Sequence, residues 1–280
     1  MLEHIYFVAG EFAENRGSYA GFIEEFSRYA SKKGYEVTIL CGQVGNEPRF
    51  EELPYATVYR FPLPRVRVPV LGLNFYYLAL GRKVRKYFSN IKLSERDIII
   101  ANSLGALGVL NQRYILRMGQ AARTFLKNME IGKGHLSPTN RIAQFIRFNI
   151  QHLMERECVR RAAAFMPPSH ETKKLWDRYY NCGNKPYFIP FSCIKFDKFS
   201  GGKKLPIPGT KLLFISTAEK VRKGIIYLEW VLPEIFSEYK DLKLIHVGEK
   251  FKWNVPEWCK ERIISVGRVP WDKMRDYYAT

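Results

Sequence analysis

The chain has 280 residues, enough for one large domain or two smaller ones. Its 46% hydrophobic and 15% aromatic content supports packed cores and excludes a disordered chain. The 45 Lys+Arg against 27 Asp+Glu leave a formal charge of +18, which favours anionic partners without choosing among nucleic acid, anionic lipid and a phosphorylated small molecule.

The start, Met1-Leu2-Glu3-His4, has no cationic n-region, and a chain without a secretory leader is expected. The five cysteines, Cys41, Cys158, Cys182, Cys193 and Cys259, are scattered and odd in number. That pattern points to a reducing compartment, so a cytoplasmic location is expected. They show no zinc-ligand spacing, and no bound metal is expected.

Ile5-Tyr6-Phe7-Val8 reads as a strand and is followed by a glycine-containing loop, Gly10 to Gly21. Phe22, Ile23, Phe26, Tyr29 and Ala30 then recur at helical spacing, and Gly34 ends the helix. Glu36 to Cys41 is a β-branched, apolar strand, which completes a βαβ unit. Thr57 to Phe61 is a further strand, and Arg65 to Lys86 is apolar and aromatic in the middle with cations at both ends. This composition suits either a core helix or a helix lying on an anionic membrane surface.

Asp97 to Ala101 is apolar enough for a strand covered on both faces. Ile142, Phe145, Ile146, Ile150, Leu153, Met154 and Cys158 are expected to form one face of a long helix. Ala163 to Met166 and Tyr187 to Phe191 read as strands, with a helix from Glu171 to Tyr180 between them. Residues 1–199 are therefore expected to be one α/β domain with a doubly wound parallel sheet. The glycine- and proline-rich stretch 200–210 reads as a linker. Beyond it the βα rhythm restarts, with strands near 212–216, 242–247 and 262–266 and a helix at 225–239. Residues 211–280 are thus expected to be an incomplete second Rossmann-like unit with a thin core.

Several stretches could carry chemistry. Lys220, Arg222, Lys223 and Gly224 lie in a strand-to-helix loop, where cations and backbone N–H groups suit a diphosphate. Gly17 and Ser18 open the first helix and suit either ligand approach or a helix cap. Asn102 and Ser103 end a strand, where ligands of open α/β sheets bind, and Gly248 with Glu249 stand similarly in the second unit. Lys133 and His135 belong to G-K-G-H, a loop that lacks P-loop spacing.

Gly17 to Thr38, with the turn glycine, the helix and Gly34-Tyr35-Glu36-Val37-Thr38, resembles the opening of GT-B-fold glycosyltransferases of family four. Met154-Glu155-Arg156 to Ser169, Phe188-Ile189-Pro190-Phe191-Ser192 to Phe199, and Leu212 to Gly224 resemble further motifs of that family in the same order. The resemblance implies a GT-B-like fold of two Rossmann-like domains. It also implies transfer of a sugar, with retention, from a UDP- or GDP-type nucleotide sugar to a lipid-linked or polysaccharide acceptor. No other cofactor is implied. Lys223 and its neighbours would hold the donor diphosphate.

This sequence departs from the family pattern in places. Ser18 replaces the second turn glycine, and Ala218 stands where the family has an arginine. A mid-domain histidine is replaced near Phe125-Leu126. The family's E-x-x-x-x-x-x-x-E segment would fall beyond Thr280, so the second domain is expected to be truncated. Two other readings stay open on sequence alone: an inactive or incomplete transferase, and a basic nucleic-acid-binding α/β protein. The dispersed cations and the missing recognition motifs count against nucleic acid.

Overall fold

The computed structural model describes residues 4–13, 17–43, 45–64, 72–131, 138–190, 199–217, 220 and 223–280, with the side chains of 17, 18 and 128–131 outside the description. The chain divides into two compact units, Met1–Cys193 and Ile194–Thr280.

The first unit opens with β1 (His4–Glu11), α1 (Gly17–Lys32) and β2 (Glu36–Gly42). It continues through β3 (Phe50–Leu53), β4 (Ala56–Phe61), α2 (Gly72–Ser89) and β5 (Ile98–Asn102). A 3-10 turn (Ser103–Gly108) leads to β6 (Tyr114–Arg117), α3 (Ala122–Ile131) and α4 (Pro138–Arg161). The unit closes with β7 (Ala164–Met166) and α5 (His170–Tyr180).

The sheet order is β3-β4-β2-β1-β5-β6-β7. Only β3 runs antiparallel to its neighbour. From β1 the chain winds outward through β2 and β4, then crosses over to β5 and winds the other way. The reversal lies between β1 and β5, which makes their carboxyl ends the topological switch point.

Alternation along β1 assigns the two faces. Tyr6 and Val8 join a core with Leu80, Val84 and Phe88 of α2 and Trp176 of α5. Ile5, Phe7 and Ala9 join the opposite core with Ala20, Ile23 and Ala30 of α1. Close packing of α2 on the 3-10 turn requires glycine: a Cβ on Gly108 would lie 2.6 Å from the Val84 side chain.

The structure adds to three of these readings. First, the apolar face of α4 is largely exposed. Ile142, Phe145, Ile146 and Leu153 are exposed, while Phe148, Glu155, Cys158 and Val159 are buried. Glu155 turns inward because its carboxylate accepts the Ala122 N–H at 2.9 Å and the Tyr180 hydroxyl, which fixes the helix's rotation. Second, Tyr187 to Phe191 is not a strand within the described residues; Tyr187 makes a single bridge to Phe165. Third, the stretch 200–210 is fastened to the second unit. The Lys203 N–H donates to Asp276, the Leu205 N–H to the Thr280 hydroxyl, and the Thr210 N–H to Asp241. Phe199 packs edge-on against Trp271 and Tyr278.

The second unit contains β8 (Lys211–Ser216), α6 (Ile225–Glu238), β9 (Lys243–Gly248), α7 (Glu257–Lys260), β10 (Ile263–Gly267), a 3-10 turn (Trp271–Lys273) and α8 (Met274–Tyr278). Its parallel sheet has the order β10-β9-β8. Ile225, Leu232 and Phe236 of α6 cover one face with Leu244 and Trp253. Met274 lies on the other face with Ile245 and Val247.

Candidate functional site

In the second unit, β8 ends at Ser216 and the chain passes through a basic loop into α6. Lys220 is already neutralised: its ammonium donates to Glu229 Oε1 at 2.6 Å and to the Lys252 carbonyl at 3.1 Å. Glu229 is buried and also accepts the Asn254 N–H at 2.9 Å. Lys220 therefore braces the loop against α6, which removes it as a free cation for a diphosphate.

Lys223 is exposed and has no ion pair among the described residues. Gly224 follows at φ 74 as the residue before α6, with no side chain capping the helix. That left-handed backbone favours glycine. The Ile225 N–H donates to the Lys220 carbonyl at 2.8 Å and the Tyr227 and Leu228 N–H groups to the Gly224 carbonyl, so a lysine beside the start of this 14-residue helix offers an anion its charge and the positive end of the helix dipole. Arg222 and Ala218 lie outside the described residues.

Gly248 pairs with Ser216 across β8 and β9, and the Glu249 N–H donates to the Ser216 carbonyl at 3.2 Å. A Cβ on Gly248 would lie 1.8 Å from that carbonyl, at a φ of 138. Glycine is thus required where the two strand ends converge. The Glu249 carboxylate is paired with Arg268. Beneath these ends, His246 is fully buried, 3.2 Å from the Ser216 hydroxyl and boxed by Phe214, Phe251 and Trp253. Burial holds its imidazole below the usual histidine range, in the neutral form.

In the first unit, Gly17 begins α1 and Ser18 follows it. Asn102 ends β5 at the switch point, is buried, and does not cap the 3-10 turn after it. Ser103 adopts φ 50, a left-handed conformation that costs a non-glycine residue energy and clusters at ligand sites. Lys133 and His135 lie outside the described residues.

Sequence reasoning missed Arg117, the last residue of β6. Its guanidinium donates to Asn102 Oδ1 at 3.4 Å and lies 4.0 Å from the Phe22 ring and 5.0 Å from the Tyr19 ring. The signal was the apolar run Tyr114-Ile115-Leu116 entering a strand that ends on a cation at the ligand-bearing edge. The tyrosines of α2 frame the same edge: the Tyr76 hydroxyl donates to the Gly10 carbonyl at 2.6 Å, and Tyr77 lies against Gly10. Phe125, by contrast, stacks on Phe148 at 4.9 Å as packing between α3 and α4.

The model of Glycosyltransferase Family 4 matches residues 21–190, more than half of the chain. The chain belongs to Glycosyltransferase Family 4. Its fold is the GT-B type of mixed α/β units with parallel sheets. Sucrose-phosphate synthase from Thermosynechococcus elongatus matches with a TM-score of 0.67 at 14% identity, over 99% of this chain and 73% of that one. The catalytic domain of starch synthase IV from Arabidopsis thaliana, bound to ADP and acarbose, matches with a TM-score of 0.60 at 10% identity, over 100% and 76%. A UGT transferase from Siraitia grosvenorii in complex with UDP matches with a TM-score of 0.53 at 10% identity, over 94% and 73%. At these identities the likeness is one of fold. No curated protein matches the sequence.

Proposed function

We propose that this glycosyltransferase-family chain moves a sugar, of the hexosyl type and with retention, from a UDP- or GDP-type nucleotide sugar to a glycan or lipid-linked acceptor. The observation that carries this is the exposed Lys223 beside the start of α6, in a chain whose family is glycosyltransferases. The leaving diphosphate gains negative charge as the glycosidic bond breaks. A cation beside the positive end of a helix dipole stabilises that charge more than it stabilises the ground state. Two fold neighbours bound to UDP and ADP lend the donor class support. Gly248 lets the ends of β8 and β9 approach closely beside the loop that carries Lys223.

The acceptor side belongs to the first unit in this reading, at the switch point marked by Asn102 and Ser103. Work at the cytoplasmic face of a membrane fits the exposed surface of α4. Ile142, Phe145, Ile146 and Leu153 recur there at helical spacing, and Arg156 continues the same stripe. The α2 helix repeats the pattern, with Phe75 and Leu78 exposed before Arg82, Lys83 and Lys86. An apolar stripe running into cations suits an anionic lipid surface. No helix among the described residues is long and apolar enough to cross a membrane.

The test is release of nucleoside diphosphate from a panel of UDP- and GDP-sugars incubated with the chain. Release from at least one donor, accelerated by a glycan or lipid-linked acceptor, is the expected result. No release from any donor contradicts the activity.

A further inference from the structure

Among the described residues of the first unit two arginines are buried, and they differ in one respect. Arg60 is satisfied on every side. It donates to Glu51 at 2.7 Å, to the Pro48 carbonyl at 3.1 Å and to the Phe12 carbonyl at 3.3 Å. Arg117, only 7% exposed, has no carboxylate partner among the described residues. One long hydrogen bond joins its Nη1 to the neutral Asn102 at 3.4 Å. Its Nε is buried with no hydrogen-bond partner among the described residues. The rings of Phe22 and Tyr19 lie close to the guanidinium, and Tyr19 is 40% exposed. Cation–π contact of this kind recovers only part of what desolvation costs a charge. A buried cation without a counter-charge is destabilising, and such groups persist where function requires them.

The position of Arg117 fits that logic. It stands at the carboxyl edge of the sheet, one strand from the switch point, beside Asn102 and the strained Ser103. The edge formed by Nε and Nη2 makes no hydrogen bond among the described residues. A guanidinium edge of that kind matches two oxygens of one oxyanion.

We propose that Arg117 is an anion-binding residue of the first unit, receiving a phosphate or carboxylate group of the acceptor through its free Nε–Nη2 edge. The word acceptor rests on the transferase reading; the anion site does not. The bound oxyanion supplies the missing counter-charge, with Asn102 holding the opposite side of the fork.

The experiment uses the full 280-residue chain carrying Lys223→Ala, so that the proposed donor grip cannot report. Inorganic phosphate and acetate are titrated in separate arms and followed by amide chemical shifts, and Tm is measured without anion. Binding of phosphate, of acetate or of both is expected. Preference for phosphate marks a phosphorylated acceptor, and preference for acetate marks a carboxylated one. Adding Arg117→Gln lowers the affinity at least tenfold, and Arg117→Lys gives an intermediate loss because it keeps the charge and loses the fork. Without anion, the Arg117→Gln change leaves Tm equal or higher, since it removes an uncompensated charge. Three results overturn the proposal: no binding of either anion, unchanged affinity with Arg117→Gln, or a lower Tm with Arg117→Gln in the absence of anion. Nucleotide binding in the chain that retains Lys223 is measured alongside, so failure of the Arg117 proposal is separable from failure of the transferase reading.

Discussion

Each unit carries a cation near the carboxyl edge of its sheet, and the two are treated in opposite ways. Lys220 of the second unit is matched by the buried Glu229 and is part of the framework. Arg117 of the first unit faces Asn102 and two aromatic rings with its charge unmatched. The lesson is that a cation's place in the sequence motif does not reveal its task; its counter-charge does. Lys220 lies within the basic loop that attracted the phosphate reading, while Arg117 ends an inconspicuous four-residue strand.

The units also differ in how well they can tolerate loss. The first has a seven-stranded sheet with a core on each face, whereas the second has three strands and leaves Leu212, Ile215 and Trp230 exposed. A small core has little reserve stability.

The comparison can be broken most forcefully at Glu229. Glu229→Ala strands Lys220 and the Asn254 N–H, and should destabilise the second unit by about 3 kcal/mol. Thermal unfolding followed by Trp230, Trp253, Trp258 and Trp271 fluorescence should show the loss, and an unchanged transition would show that Lys220 is free after all. The next largest effect is expected on the surface of the first unit. Phe145→Asp should weaken cosedimentation with anionic vesicles by roughly thirtyfold, the equivalent of about 2 kcal/mol for one withdrawn aromatic. Equal partitioning of variant and wild type would remove α4 from the membrane reading.

Much of the first unit was legible because its central strands are largely apolar. Ile5 to Val8 and Asp97 to Ala101 announce a covered parallel sheet, and Gly34 punctuates the first crossover. Two strands escaped for physical reasons. β3 reads Phe50-Glu51-Glu52-Leu53, whose polar centre hides an antiparallel edge strand. β6 is four residues long, too short for periodicity to register. The long helix α4 was legible, but its rotation was not. Glu155 is a buried carboxylate, raised above the usual glutamate range by that burial, and only its tertiary partners at Ala122, Gln151 and Tyr180 pull that side inward.

The placement of the candidate residues was legible; their roles were not. Lys223 and Gly224 stand where the strand-loop-helix pattern put them, and Asn102 with Ser103 marks the switch point. The sequence could not reveal that Lys220 has Glu229, nine residues on, as its partner. Nor could it reveal that Asn102 meets Arg117 rather than capping the turn it precedes.

The central claim is that Lys223 and the start of α6 grip a nucleotide diphosphate. Calorimetric titration of the wild-type chain and of Lys223→Ala with UDP- and GDP-sugars tests it directly. The account predicts at least a tenfold loss of affinity in the variant, about 1.4 kcal/mol. Equal affinity in the two chains would contradict it.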